Sequence, residues 1–264
     1  MLTTAALILI VTSKVVLGQD DRESLDGQIY PLDMAENSVD DWYHGCESNM
    51  SALVKGDYLI KEICANINFG KAWMLGIEKV PRPDKLNMFH FIAISVYTSD
   101  LVYKDFNNNV RTDRQKYIDK KYTWYSLHFF LTEAIKTLRK NQGNCKETYR
   151  ATSVKFIDTV KDKEIRFGSF ASSSLKREKT VKFGNESCFK IKTCEGADVS
   201  KYSDYPEEEE VLIPPYEKFK VTAIKKNDWC KTVFVLESTG VKSNLNCAAA
   251  SVKLKKYHNV IISD

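Results

Sequence analysis

The chain has only four histidines, scattered, and its seven cysteines include no C-x-x-C pair. A zinc site, which needs clustered nitrogen and sulfur ligands, is therefore not expected, nor is any other metal. Beyond the first residues there is no run of about 18 apolar residues, the length a membrane-spanning helix requires. The C-terminal "KLKKYHNVIISD" also lacks the hydrophobic tail that signals a lipid anchor. A large excess of charge of either sign is missing too. The formal net charge is +4, and loss of Lys14 with a leader would bring it to +3, too little to suggest a nucleic-acid partner. The basic runs "RTDRQKYIDKKY" (111–122) and "LKREKTVK" (175–182) are mixed with acids or lie beside turns, and read as solvated faces. No internal repeat or low-complexity linker divides the chain.

What is present points to export. "MLTTAALILIVTSKVVLGQDD" runs from an apolar stretch, Leu2 to Val11, through small residues to an abrupt change to charge, although no Lys or Arg precedes Lys14. This reads as a secretory signal removed near Gly18, so residues 1–18 are expected to be absent from a freely secreted, extracellular mature protein. In that setting the cysteines read as disulfides, with their odd number leaving at least one thiol free or bonded to another molecule. Asn49-Met50-Ser51 and Asn185-Glu186-Ser187 are sequons for glycosylation at Asn49 and Asn185.

An apolar fraction of 43% over 264 residues is ample for a packed core. The hydrophobic period changes partway along. From Met50 to about Gln142 it is helical, as in "TWYSLHFFLTEAIKTLRKNQG", where Trp124, Leu127, Leu131, Ala134, Ile135 and Leu138 recur at three- and four-residue steps and Gly143 supplies a stop. After Asn144 the segments are short, β-rich and separated by turns. Across 217–224, Phe219, Val221 and Ala223 alternate with Lys218, Lys220 and Thr222, the pattern of a strand with one covered face. The fold class is α+β, its halves segregated on one core or set as two lobes with a cleft between.

Three segments could carry chemistry. In "YPEEEEVLIPPYEKF" (205–219) four glutamates precede an aliphatic run. If they enter a strand, Glu208 and Glu210 share a face about 6.5 to 7 Å apart, while Glu207 and Glu209 point away. Such a pair repels itself unless a cation or hydroxyl-rich ligand lies between, and the bland alternative is a solvated sheet edge. In "CKETYRAT", Arg150 offers a fork of donors suited to a diphosphate, or serves as a structural ion-pair partner. "RFGSFASSSL" ends a strand with Ser172, Ser173 and Ser174, whose hydroxyls can hold a carboxylate or a ribose, or form a turn.

In this order, "TYRAT", "RFGSFASSS" and "EEEEVLIPPYE" resemble the R-S-ExE signature of the vertebrate ecto-type arginine-specific mono-ADP-ribosyltransferases. The likeness runs from about Asp33 to Cys247. It implies a helical N-terminal part (about 33–144) on a C-terminal β-sandwich core (145–250) with an NAD cleft, together one domain within 19–264. It implies NAD as co-substrate with no tightly bound cofactor, and arginine side chains of extracellular or secreted proteins as acceptors. By position, Arg150 would grip the NAD phosphates, Ser172 would orient the catalytic glutamate Glu210, Glu208 would hold the acceptor, and Phe183 would stack on nicotinamide. The resemblance also implies the disulfides Cys46–Cys247 and Cys145–Cys194, leaving Cys64, Cys188 and Cys230 unassigned. One residue departs from the pattern: Ala151 stands where the family usually has glycine, and its methyl is expected to crowd the phosphate approach.

Losing nicotinamide leaves oxocarbenium character on the ribose, which a fixed carboxylate stabilises more than the ground state. A guanidinium is a poor nucleophile while protonated, so a second carboxylate has work to do on the acceptor. Two other readings remain: a secreted NAD glycohydrolase with water as acceptor, and a binding protein that keeps the cleft without turnover.

Overall fold

The computed structural model describes residues 28–80 and 86–250. The leader at 1–18 and the "KLKKYHNVIISD" tail lie outside the described residues.

The first half is helical: α1 (Glu47–Leu53), α2 (Leu59–Ala65), α3 (Ile67–Glu78), α4 (Met88–Thr98), α5 (Tyr103–Thr112), α6 (Arg114–Ile118) and α7 (Tyr125–Gln142). A π-helical turn, Val54–Tyr58, joins α1 to α2. Local capping sets several boundaries. The Asn66 and Asn87 side chains accept the amides of Phe69 and His90, each at 3.0 Å, starting α3 and α4. α7 has no cap of its own; instead Glu62 reaches from α2 and accepts the amides of Tyr125 (2.8 Å) and Ser126 (3.0 Å). Gly143, at φ +76°, ends the helix. The five α7 residues picked out by period, and Trp124 just before them, are all buried, but so are Ser126, His128 and Thr132, because the helix is surrounded rather than laid on a surface. "RTDRQKYIDKKY" is only partly a solvated face, since Tyr117 and Tyr122 are buried in the helical cluster.

The second half supplies most of the strands. β1 (Ile29–Tyr30) pairs in parallel with β3 (Lys155–Phe156). The others are β2 (Lys146–Thr152), β4 (Glu164–Ile165), β5 (Ala171–Ser174), β6 (Ser187–Thr193), β7 (Ala197–Asp198), β8 (Glu210–Ile213), β9 (Glu217–Lys226) and β10 (Thr232–Val241). They follow the order β4-β9-β10-β6-β2-β5-β8-β7. β2 meets β5 at a single pair, Tyr149 with Ser174, whereas β2 and β6 pair over seven positions. The sheet therefore bends at that joint. Ala171 and Ile213 from one side share an apolar cluster with Phe189, Phe219, Val221 and Phe234 from the other, which makes the bent sheet a sandwich. Leu212 points the opposite way from Ile213 and joins the helical cluster, together with Ala197, Val199 and Phe170. The halves are thus segregated on a shared core.

Three disulfides tie this arrangement. Cys46–Cys247 links the start of α1 to the far end of the described chain, across a separation of 201 residues; closing so long a loop is worth about 5 kcal/mol in the chain-entropy account. Cys145–Cys194 clamps the start of β2 to the end of β6. Cys188–Cys230, a pairing the sequence left unassigned, fixes β6 to the β9–β10 turn, and Cys64 is free and exposed.

Candidate active site

The joint in the sheet gathers the candidate residues. Arg150 is buried on β2 and donates from Nη1 to the Ser172 carbonyl at 2.7 Å. It also borders a cavity of about 280 Å³, which Phe156, Phe167 and Arg111 help to line. Ser172 is buried within β5, so the serines form a strand and not a turn. Its hydroxyl lies 3.4 Å from the Tyr97 hydroxyl, which in turn accepts from Asn107 Nδ2 at 3.2 Å. Ser173 and Ser174 serve the scaffold, donating to the carbonyls of Val211 (2.9 Å) and Glu208 (2.7 Å).

Glu210 opens β8 opposite Ser174 and is only 2% exposed. Burial pushes its carboxyl up to about 8; the neighbouring Glu208 charge adds to this, while a Ser172 hydrogen bond and the Arg150 charge oppose it. Glu208 does not share a strand with it. Pro206–Glu208 form a 3-10 turn, Glu209 takes the left-handed conformation at φ 47°, and only then does β8 begin. Sidedness within a strand therefore does not explain the acid pair. A turn ending in one left-handed residue buries Glu208 (1% exposed) beside the strand that buries Glu210. Glu207 is exposed and Glu209 half-buried.

Lys182 donates to Glu208 Oε1 at 2.8 Å, while Oε2 is buried without a hydrogen-bond partner among the described residues. Burial raises the Glu208 carboxyl above the usual range and Lys182 pulls it back. Lys182 belongs to "LKREKTVK", so that run is not simply a solvated face. It sits in the turn Val181–Phe183 with its Nζ 5.0 Å from the centroid of the Phe183 ring, and Phe183 itself is buried. Gly184 lets the turn close: a Cβ there would lie 2.3 Å from the Ser153 amide nitrogen.

The expectation about Ala151 is corrected. Successive residues of a strand face opposite ways, and the Ala151 methyl packs with Cys188, Cys230 and Val233, away from the Arg150 side chain. It does not crowd the space Arg150 faces. Tyr97, Asn107 and Lys182 were not singled out from the sequence. Tyr97 lies inside an apolar helix and Lys182 inside a basic run, where nothing separates them from ordinary core and surface residues.

Together these features define a class: an α+β protein that buries two carboxylates, an arginine and a serine where a bent sheet joins. Residues 32–244 match the family described as NAD:arginine ADP-ribosyltransferase. The chain belongs to that family. It is 36% identical over 227 residues to NAD(P)(+)--arginine ADP-ribosyltransferase 1 of Gallus gallus, covering 82% of this chain and 72% of that one. It is also 36% identical over 244 residues to human Ecto-ADP-ribosyltransferase 4, covering 85% and 75%. The crystal structure of the eukaryotic mono-ADP-ribosyltransferase ART2.2 superposes with a TM-score of 0.71 at 30% identity, covering 82% of this chain and 98% of that one. A mutant of ART2.2 in complex with NAD matches over the same shares, with a TM-score of 0.64 at 28% identity.

Proposed function

We propose that this chain transfers ADP-ribose from NAD to arginine side chains and releases nicotinamide. The observation that carries the reading is the pair of buried carboxylates, Glu208 on a turn and Glu210 on a strand, with Ser172 and Arg150 beside Glu210 and the turn that carries Lys182 and Phe183 beside Glu208. NAD is the co-substrate: Arg150 holds its diphosphate, Phe183 stacks on nicotinamide, and Ser172 keeps the Glu210 carboxylate aimed at the nicotinamide ribose. As the glycosidic bond breaks, positive charge grows on the ribose, and ionised Glu210 stabilises it in a site where water does not screen the interaction. The cationic nicotinamide ring of bound NAD favours the ionised Glu210 before the bond breaks, its proton passing to solvent, which offsets the effect of burial. Glu208 takes the acceptor guanidinium by a two-point hydrogen bond and accepts a proton as the new C–N bond forms.

Three further readings accompany this one. Residues 19–264 work as a single domain after removal of 1–18. Asn49 and Asn185, both exposed, carry glycans. The protein acts outside the cell and is freely secreted, with arginines of extracellular proteins as acceptors; its disulfides suit that setting. Among the described residues no helix is long and apolar enough to cross a membrane.

One observation favours NAD hydrolysis as a second reading: Lys182 already occupies part of the acceptor carboxylate. Incubating the purified protein with NAD, with and without agmatine, separates the cases. An ADP-ribosyl-agmatine adduct is the expected result. Free ADP-ribose in both incubations favours the hydrolase, and unchanged NAD overturns both.

A further inference from the structure

Lys182 and Glu208 form an asymmetric pair. The carboxylate is 1% exposed, whereas the lysine side chain is 42% exposed. Its ammonium serves one oxygen at 2.8 Å and leaves the other, Oε2, buried and without a partner among the described residues. A second contact, over the Phe183 ring, keeps the ammonium at this seat. An ammonium is a point donor, whereas a guanidinium presents two parallel N–H groups that match both oxygens of a carboxylate. Lys182 therefore does half of what an arginine would do there, and its exposed stem leaves it free to swing away.

We propose that Lys182 is an internal stand-in for the acceptor, holding the Glu208 seat in the empty protein until a guanidinium displaces it by satisfying both carboxylate oxygens. The inference rests on the reading of Glu208 as the acceptor carboxylate, and it adds a source of selectivity. An incoming amine only exchanges one single-point contact for another. An incoming guanidinium gains a bond to Oε2, and an unsatisfied buried acceptor atom is costly enough to decide the exchange. Occupancy of the seat by Lys182 also lowers apparent acceptor affinity, because only the fraction of molecules with the lysine displaced can bind.

The test uses the full chain with agmatine and with putrescine, the matching diamine. Lys182→Met should lower the agmatine KM by roughly three- to tenfold, the effect falling on KM and not on kcat, and should narrow the preference for agmatine over putrescine. Lys182→Arg should act oppositely and raise the agmatine KM, because a resident guanidinium fills both oxygens. Calorimetry of agmatine binding without NAD reads the same order of affinities even if no NAD is cleaved, so failure of the transferase reading stays separate from failure of this one. In that arm Lys182→Met should bind more tightly than the native chain, and Glu208→Gln in the same background should abolish the gain. Equal or weaker binding by Lys182→Met, no binding to either protein, or a change of the same sign for Met and Arg would overturn the proposal.

Discussion

Two regions of the molecule bury glutamates, and they treat them differently. Under the helices, Glu62 has both oxygens satisfied by the amides that start α7, and within the sandwich Glu217 accepts from Thr193 Oγ1 (2.5 Å) and the amides of Cys194 (2.7 Å) and Glu195 (3.0 Å). At the sheet joint, Glu208 keeps one oxygen without a partner among the described residues, and Glu210 lies beside it although the Glu208 charge raises its cost of ionisation. Burying a carboxylate is unfavourable everywhere. Where protein donors reach both oxygens the residue holds the fold together, and where they do not the deficit belongs to a ligand.

The comparison breaks most visibly at Glu210. Glu210→Ala should cut NAD cleavage and transfer by on the order of a thousandfold, as loss of a preorganised charge at a developing cation does. Thermal stability should hold or rise, since a costly buried carboxyl goes with it. A nicotinamide-release assay and a melting curve on one preparation test both halves; retained turnover would remove Glu210 from the mechanism.

Next in size is Glu208→Gln, which keeps the shape and loses the charge. Adduct formation with agmatine should fall by about a hundredfold while NAD hydrolysis falls much less, shifting the product ratio towards free ADP-ribose. Parallel loss of both products would mean that Glu208 serves the donor and not the acceptor. Glu62→Ala supplies the contrasting case: two orphaned amides at the buried start of α7 should cost about 2 kcal/mol of stability, read from urea unfolding, with both KM values unchanged.

Much of the scaffold was legible beforehand, because period reports burial directly. Trp124, the α7 positions from Leu127 to Leu138 and the covered face of β9 at Phe219 and Val221 follow from spacing alone. The order of the arginine, serine and glutamate segments carried the site residues, and strands that cross at one joint explain why segments so far apart in sequence meet. Three features were beyond reach for a shared reason: each depends on one residue's local conformation or on a contact between distant segments. The left-handed Glu209 turns a supposed strand into a turn, Lys182 reaches across 26 positions to Glu208, and Cys188 finds Cys230 only once β6 lies beside β10. Ala151 is a different case. Simple alternation from Arg150 already puts its methyl on the other face, and the expected crowding came from comparing residue types without applying the period.

The smallest effect tests the comparison by pH. Burial lifts the Glu62 carboxyl to about 7 and that of Glu210 to about 8, while burial holds the His90 and His128 imidazoles down to about 4. Between pH 4.5 and 6.5 these oppose each other: the folded carboxyls bind more protons than the unfolded ones, and the folded histidines fewer. Above pH 6.5 the unfolded histidines lose their remaining protons within about one pH unit, so they offset only part of the carboxyl effect and then drop out. Stability should then fall from pH 6.5 to 8, because a carboxyl with a raised folded pKa favours the fold only while it keeps its proton. Melting curves in that window should show a drop of a few degrees, on the order expected for about 1 kcal/mol in a chain of this size. Glu210→Gln should flatten the upper part of the slope. Adding NAD to the native chain should flatten it too, because a bound cation-forming substrate favours the ionised carboxylate, whereas the contribution of Glu62, bound to the amides that start α7, should persist. If NAD leaves the whole slope in place, the raised carboxyl at the sheet joint is as structural as the one under α7, and the distinction between the two regions fails.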